Sequence, residues 1–373
     1  MNVGIDARGL DGNRSGIPIY IEEIVKQISG LDKENNYILY STRKVDIKEK
    51  LSDNIIIKDD ERRFGSFWMY LKLPKILKED NIDVFWGTQH LLPMRNKYTK
   101  NIKFVLTIHD LAIKRLKTVG SLKNTIIQKL FVKRSLKAAD RIIAISEATK
   151  KDIIELYKIK EEKITVVYNG TNLKEKDYDL TQKQENEIQA KFKIKDIPYI
   201  FFLSTIEPRK NVPTLVKAYE YVREKGVDIK LILAGGLGWK YEGVLDLVQN
   251  SKYKEDIYLP GYISKEEKEY LFKNAKCFAY PSLYEGFGLP ILEAMINKQI
   301  VVTANNSSLP EVGGEAALYY DETLNYQNLG NKIIEVIQMS QEERNNKIEE
   351  GLIQARKFTW EKCAKETLDI LYK

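Results

Sequence analysis

The stretch C-F-A-Y-P-S-L-Y-E-G-F-G-L-P-I-L-E-A-M, Cys277 to Met295, reads as a buried strand, a glycine-bearing loop and the start of a helix. Cys277–Tyr280 is the short continuous apolar run that parallel sheets bury on both faces. Gly286 and Gly288 permit tight backbone turns, and Pro290 suits the first helical position, where its missing N–H costs nothing. A loop of exposed amides leading to a helix N-terminus favours an anion such as a diphosphate. Glu285 in the loop and Glu293 about one turn into the helix can then bond hydroxyls at either end of a ligand. Each glutamate alone reads as a solvated loop acid or a helix-start charge; the glycines and the strand–loop–helix context favour a site.

Outward from this segment, short apolar runs alternate with helical-period segments over the whole chain, the pattern of parallel sheets wrapped by helices. Strands are expected near Val3, Tyr37, Ile55, Val84, Phe104, Ile142 and Ile164 in the first half. The second half offers five, near Tyr199, Ile229, Asp256, Cys277 and Ile300. A charged stretch from Lys174 to Lys195 carries no clear strand and marks a boundary with some helical content. The division expected is 1–178 and 179–357, two doubly wound α/β domains facing a cleft, with a helix over 358–373 crossing back to the first domain. Ligands of such sheets bind outside the carboxyl ends of the strands.

The 373 residues suit two domains, and 43% hydrophobic with 30% charged residues is a folded, water-compatible balance. No apolar run reaches the ~18–20 residues that span a bilayer, and the start M-N-V-G-I-D-A-R lacks a basic and apolar leader. A cytoplasmic protein with reduced cysteines is expected, Cys277 and Cys363 being far apart in sequence. Two histidines, His90 and His109, give almost no material for a zinc site, and the one D-x-D, Asp177-Tyr178-Asp179, lies in the charged boundary. No metal and no cofactor are expected. The charge of +7 is uneven: 97–139 holds eleven Lys or Arg against one acid, Asp110. That excess reads either as a solvated helix face neutralised from elsewhere or as a surface for anionic lipid at the inner face of the cell membrane, with R-R-F-G-S-F-W-M-Y from Arg62 adding aromatics. Nucleic acid is not an expected partner, since the aromatics do not form a stacking platform.

Known phosphate fingerprints are absent. Gly236 and Gly238 begin G-x-G-x-x-G, but residue 241 is Tyr, and none of the 21 glycines precedes a lysine as a Walker A loop requires. S-T-I-E-P-R-K-N from Ser204 puts Arg209 and Lys210 after a strand and beside a helix starting near Asn211. They read as an ordinary basic helix entrance or as cations for a diphosphate leaving group. T-I-H-D-L places His109 and Asp110 at a strand end, as a structural hydrogen-bonder or a site residue; His90, after another strand, is the weaker candidate.

Taken in order, G-I-D-A-R with the loop ending at Gly16, T-I-H-D-L, A-I-S-E-A-T-K, V-V-Y-N-G, T-I-E-P-R-K-N, A-G-G-L-G-W, L-P-G-Y-I-S, the E-x(seven)-E segment and S-L-P-E-V-G-G-E-A-A resemble the retaining glycosyltransferases of family 4, of the GT-B fold. The resemblance covers nearly the whole chain. It implies a nucleotide-sugar donor, GDP- or UDP-linked, a glycan or lipid-linked acceptor, and metal-independent hexosyl transfer with retention in polysaccharide building. It implies Glu285 on the transferred sugar, Glu293 on the ribose, and Gly286, Phe287, Gly288 and Leu289 on phosphates and sugar. Arg209 and Lys210 would take the diphosphate, His109 the donor sugar, Gly16 would leave room for the donor, Gly235 and Gly236 would line the donor side, and Tyr262 and Ile263 would lie near the base. The chain departs at Pro18 and Ile19, where many relatives have Gly and Arg, and at Ser204, where some carry an arginine. A nucleotide-sugar 2-epimerase of the same fold and a non-catalytic sugar-nucleotide binding module stay open.

Overall fold

The computed structural model describes residues 1–10, 16–59, 67–116, 122–172 and 180–373. The chain divides into two units. The first takes most of residues 1–170 together with Phe358–Lys373, and the second Thr171–Lys357.

The first unit contains the strands β1 (Asn2–Asp6), β2 (Asn36–Ser41), β3 (Ile55–Asp59), β4 (Val84–Gly87), β5 (Lys103–Ile108), β6 (Arg141–Ala144) and β7 (Ile164–Val166). They form one sheet in the order β3-β2-β1-β4-β5-β6-β7, every neighbouring pair parallel. Sequence order reverses between β1 and β4, and that crevice at the carboxyl ends is where doubly wound sheets bind ligands. Burial on both faces explains the near-continuous apolar strands, β4 and most of β5 being fully buried.

The second unit contains β8 (Tyr199–Leu203), β9 (Lys230–Ala234), β10 (Ile257–Gly261), β11 (Cys277–Tyr280), β12 (Val301–Ala304) and β13 (Leu318–Tyr320). The parallel order β10-β9-β8-β11-β12-β13 repeats the arrangement of the first sheet, with its reversal between β8 and β11. The sheet has six strands rather than the expected five. Leu318–Tyr320 is too short to show a period and becomes a strand by pairing with β12, Val302 opposite Leu318. Within the charged boundary, Gln182–Phe192 is a helix with Thr181 and Gln184 forming a reciprocal cap.

The final helix, Trp360–Tyr372, packs in the first unit against the helix Ile17–Leu31. Trp360 meets Tyr20 edge to face at 6.3 Å, and the Lys103 ammonium donates to the terminal carbonyls of Ile370 at 2.7 Å and Leu371 at 3.0 Å. A cation there satisfies orphan carbonyls and the negative end of the helix dipole. Tyr372 completes the seat by hydrogen bonding Tyr37 and Asp32.

Where the chain enters that helix, Gly170 lies against the backbone of Thr359 and Trp360, leaving no room for a β-carbon. Gly170→Ala is expected to cost about 1–3 kcal/mol or more by forcing these backbones apart. Gly30→Ala, with open space around its β-position in the helix Ile17–Leu31, is expected to be neutral or to stabilise by about 0.5–1 kcal/mol. Urea unfolding of the two variants checks the contrast; equal midpoints would refute it.

Candidate active site

The reversal between β8 and β11 is also where their ladder ends. Only Cys277 with Ile200 and Phe278 with Phe201 are in register, and past Phe278 the two strands share no pairs. Side-chain bonds take over there. The turn after β8, Pro208–Lys210, is followed by Asn211 in a left-handed conformation (φ 55°) that Asn tolerates better than most residues. Asn211 Nδ2 donates to the carbonyls of Pro281 at 3.1 Å and Thr323 at 2.7 Å, and the Leu283 amide donates to the Arg209 carbonyl at 2.9 Å. These bonds fasten the β8 turn to the loops after β11 and β13.

Glu285 sits at the centre, only 7% exposed. Its Oε1 accepts from Lys210 Nζ at 2.6 Å and from the Tyr280 hydroxyl at 2.9 Å, and its Oε2 accepts from Arg209 Nη1 at 2.8 Å. Lys210 also donates to Tyr280 at 2.7 Å, closing a triangle, while Arg209 Nε reaches Glu207 at 3.0 Å. Burial alone would raise the Glu285 carboxyl, but the Lys210 and Arg209 charges overcome it and bring it down to about 2. The Lys210 ammonium is held charged by Glu285 against the cost of its own burial.

Ser307 and Ser308 hold the loop itself. The Glu285 amide donates to Ser307 Oγ at 3.0 Å, and Ser308 Oγ donates to the carbonyls of Phe287 at 2.6 Å and Glu285 at 3.0 Å. The loop is therefore not the set of exposed amides expected from sequence. Tyr284, Glu285, Gly286, Phe287 and Gly288 are all buried, because Tyr284 and Phe287 turn inward and the two serines cover the backbone. The helix Leu289–Ile296 follows, with Pro290 at its second rather than first position. Gly288 caps it with φ 120°, a conformation that disfavours a side chain, and as a glycine it supplies no side-chain cap. Glu293 is paired with Lys268 at 2.8 Å, each about a third exposed.

On the other flank of β8, Pro260 lacks an N–H and the β9–β10 register shifts between Tyr258 and Gly261. Gly261 in the left-handed region (φ 72°) then delivers Tyr262, 86% exposed, over Gly236, where a β-carbon would lie 2.7 Å from the phenol ring. The Gly235 amide donates to the Gly261 carbonyl at 2.8 Å, tying the two strand ends together. Ile263 is half-buried beside them.

The remaining candidates belong to the first unit. His109 follows β5, 6% exposed, and its Nε2 donates to the Thr88 carbonyl at 2.7 Å, which places the proton on Nε2. Burial, then the neighbouring His90 at 5.4 Å, lower it to about 3, so the ring is neutral near pH 7. Tyr20 packs edge-on against it at 4.7 Å. His90 follows β4 with a left-handed backbone, φ 64°. Gly16 precedes the helix Ile17–Leu31 with φ 60°, and Pro18 fits in the first turn. Asp177-Tyr178-Asp179 lies outside the described residues, and among those described no three His, Cys, Asp or Glu side chains converge as metal ligands. Both cysteines are buried free thiols.

Residues 16–175 match the family model described as Glycosyltransferase Family 4, and residues 183–353 the one described as Glycosyl transferases group 1. The O-antigen chain mannosyltransferase B of Escherichia coli is 31% identical over 290 residues, covering 77% of this chain and 73% of that protein. The chain belongs to the family 4 glycosyltransferases. The solved glycosyltransferase of Rickettsia africae has the same fold, with a TM-score of 0.73 at 19% identity over 99% of this chain and 97% of that one. So has Anabaena HepE, solved in complex with UDP and glucose, with a TM-score of 0.72 at 16% identity over 100% and 99%. The enzyme thus has the GT-B architecture expected from its motifs.

Sequence reading found Arg209, Lys210, Glu285 and Glu293, and the structure joins the first three directly. It missed Tyr280, Glu207, Asn211, Ser307 and Ser308. Their only signal was position: Tyr280 ends the apolar run Cys277–Tyr280, Glu207 and Asn211 flank Arg209 and Lys210 in S-T-I-E-P-R-K-N, Ser308 opens S-L-P-E-V, and Ser307 lies in none of the motifs.

The depressed Glu285 carboxyl links the site to acid stability. Its folded value, about 2, lies below the ordinary value of about 4.3. Its contribution is therefore full above pH ~5 and is lost as pH falls from there towards 2. Glu285→Gln lacks this term, so wild type and variant should converge in stability between pH 5 and 3; a gap in urea midpoints independent of pH would contradict it.

Proposed function

We propose that this glycosyltransferase moves a hexosyl group from a GDP- or UDP-linked sugar to a glycan or lipid-linked glycan acceptor, with retention and without a metal, in surface polysaccharide synthesis. The observation that carries the reading is Glu285 held ionised between Lys210 and Arg209 beside a helix start with no side-chain cap. As the donor C1–O bond breaks, negative charge grows on the departing diphosphate. Lys210, Arg209 and the start of the helix Leu289–Ile296 are the groups to stabilise it. The Glu285 oxygens are already bonded by Lys210, Tyr280 and Arg209, which makes them poor nucleophiles; a sugar hydroxyl takes up acceptor capacity that Lys210 yields as it turns to the diphosphate. Retention then comes from the acceptor hydroxyl attacking C1 on the face the diphosphate leaves, its proton passing to the leaving phosphate oxygen. Glu293 takes the ribose hydroxyls, sharing or releasing Lys268. Tyr262 and Ile263 border the base. His109 and Gly16 enter through the family resemblance, His109 as a neutral hydrogen-bonding group for the donor sugar. Mannose is the hexose favoured by the mannosyltransferase relative.

Peripheral contact with an anionic membrane is part of the same proposal. Lys133, Arg134 and Lys137 are exposed at the end of the helix Leu122–Ala138, and Leu71 and Leu130 are 72% and 65% exposed. The stacked rings of Tyr70 and Phe131, 4.8 Å apart, tie together the segments that carry these leucines. Other cations of the basic run serve the fold: Arg115 pairs with Asp152 and Glu155, Lys114 lies 4.2 Å from the Tyr157 ring centroid, and Lys103 caps the last helix. Trp68 and Tyr70 are buried. Among the described residues no helix is long and apolar enough to cross a membrane.

UDP, GDP and their hexose conjugates are expected to raise the melting temperature selectively, one base over the other. Glu285→Ala and Lys210→Ala should each lower transfer at least a hundredfold, and EDTA should leave wild-type turnover unchanged. Unaltered transfer in either variant would refute the site. In low salt the protein should sediment with anionic liposomes and less so after Leu71→Glu with Leu130→Glu; equal sedimentation with neutral liposomes would remove the membrane contact.

A further inference from the structure

The closed triangle of Lys210, Tyr280 and Glu285 contains one group no motif marks. An ammonium can only donate and a carboxylate only accept, whereas a phenol does both. Tyr280 accepts from Lys210 at 2.7 Å and donates to Glu285 Oε1 at 2.9 Å. Its ring is 1% exposed, stacked on Phe278 at 5.8 Å and on Phe202 at 6.3 Å, and Thr303 Oγ1 donates to its carbonyl at 2.7 Å. The hydroxyl is thus fixed where the ladder between β8 and β11 has ended.

Lys210 is the movable corner. It has three N–H donors, two of them engaged in the triangle, and the third has no partner among the described residues. Arg209 is shared between Glu285 and Glu207, so two cations face two carboxylates. An incoming diphosphate competes with Glu285 for Lys210. The ammonium can offer it that third N–H while still bonded to Glu285, and Tyr280 is the donor that keeps Glu285 Oε1 aimed as Lys210 turns.

We infer that Tyr280 is a positioning residue for the transferred sugar: its hydroxyl holds the Glu285 carboxylate in place while Lys210 engages the diphosphate. This rests on the donor-site reading above. It separates the two parts of the donor, nucleoside diphosphate binding depending on Lys210 and Arg209, and sugar binding on Glu285 as aimed by Tyr280.

Tyr280→Phe keeps the ring and its stacking and removes only the hydroxyl. Calorimetric titration of wild type and variant with UDP, GDP and their glucose and mannose conjugates tests the separation. The expected result is a nucleoside diphosphate Kd within about twofold of wild type, with the conjugate weakened about tenfold by loss of one bond to a charged acceptor. Lys210→Met, as a reference, should weaken both ligands. Parallel weakening of both ligands in Tyr280→Phe, or no change in either, would overturn the inference while leaving the donor site standing. If wild type binds no nucleoside diphosphate, the donor-site reading falls and the inference with it.

Discussion

A carboxylate buried between two cations, at the point where the second sheet reverses its strand order, is the interaction on which the site depends. An unpaired ionised carboxylate at that depth would be too costly to keep, and removing one partner of such a buried set typically costs about 3–5 kcal/mol. Glu285 therefore does structural work before any ligand arrives. The β8–β11 ladder stops at Phe278, and beyond it the turn carrying Arg209 and Lys210 and the loop carrying Glu285 are joined by those charges, by Asn211 and by the Leu283 amide. Opening the sheet at its reversal creates the crevice, and the ion pairs keep it from falling apart.

Much of this was legible in the sequence because it is local. The strand Cys277–Tyr280, the loop glycines and the helix beyond are read from an apolar run, two turns and a proline. Arg209 and Lys210 are read from their place after an apolar run. What escaped was set by distance along the chain. The bonds from Arg209 and Lys210 to Glu285 span 76 and 75 residues, and Ser307 and Ser308 cover a loop about twenty residues before them. The same blindness inflated the basic run, since the acids that neutralise Arg115 lie 37 and 40 residues on, and Lys103 serves a helix end 267 residues away. Leu318–Tyr320 escaped for another reason: three residues have no period, and only β12 makes them a strand.

The two units apply one topology to opposite polar settings. Near the first reversal, Asp6 is held by the Arg8 fork at 2.8 and 2.9 Å, and His109 is kept neutral by burial and by His90. At the second, three charged groups, Glu285, Lys210 and Arg209, meet around the neutral Tyr280 hydroxyl. A neutral imidazole suits a hydroxyl, and a charged cluster suits a phosphate, so the same strand-end geometry supplies different chemistry according to which residues follow the strands.

The charged cluster is also balanced, which constrains how an anion is accommodated there. Arg209 and Lys210 are matched by Glu207 and Glu285, so a diphosphate finds no surplus of formal charge among these four residues. Its stabilisation has to come from redistributing bonds already present and from fixed dipoles, chiefly the start of Leu289–Ile296, whose first turn has no side-chain cap. Such a site is costly to disturb and inexpensive to rearrange. On the proposed reading, a donor whose sugar hydroxyls reach Glu285 while its phosphates engage Lys210 makes bonds at both partners of the pair, whereas a diphosphate alone makes them at one.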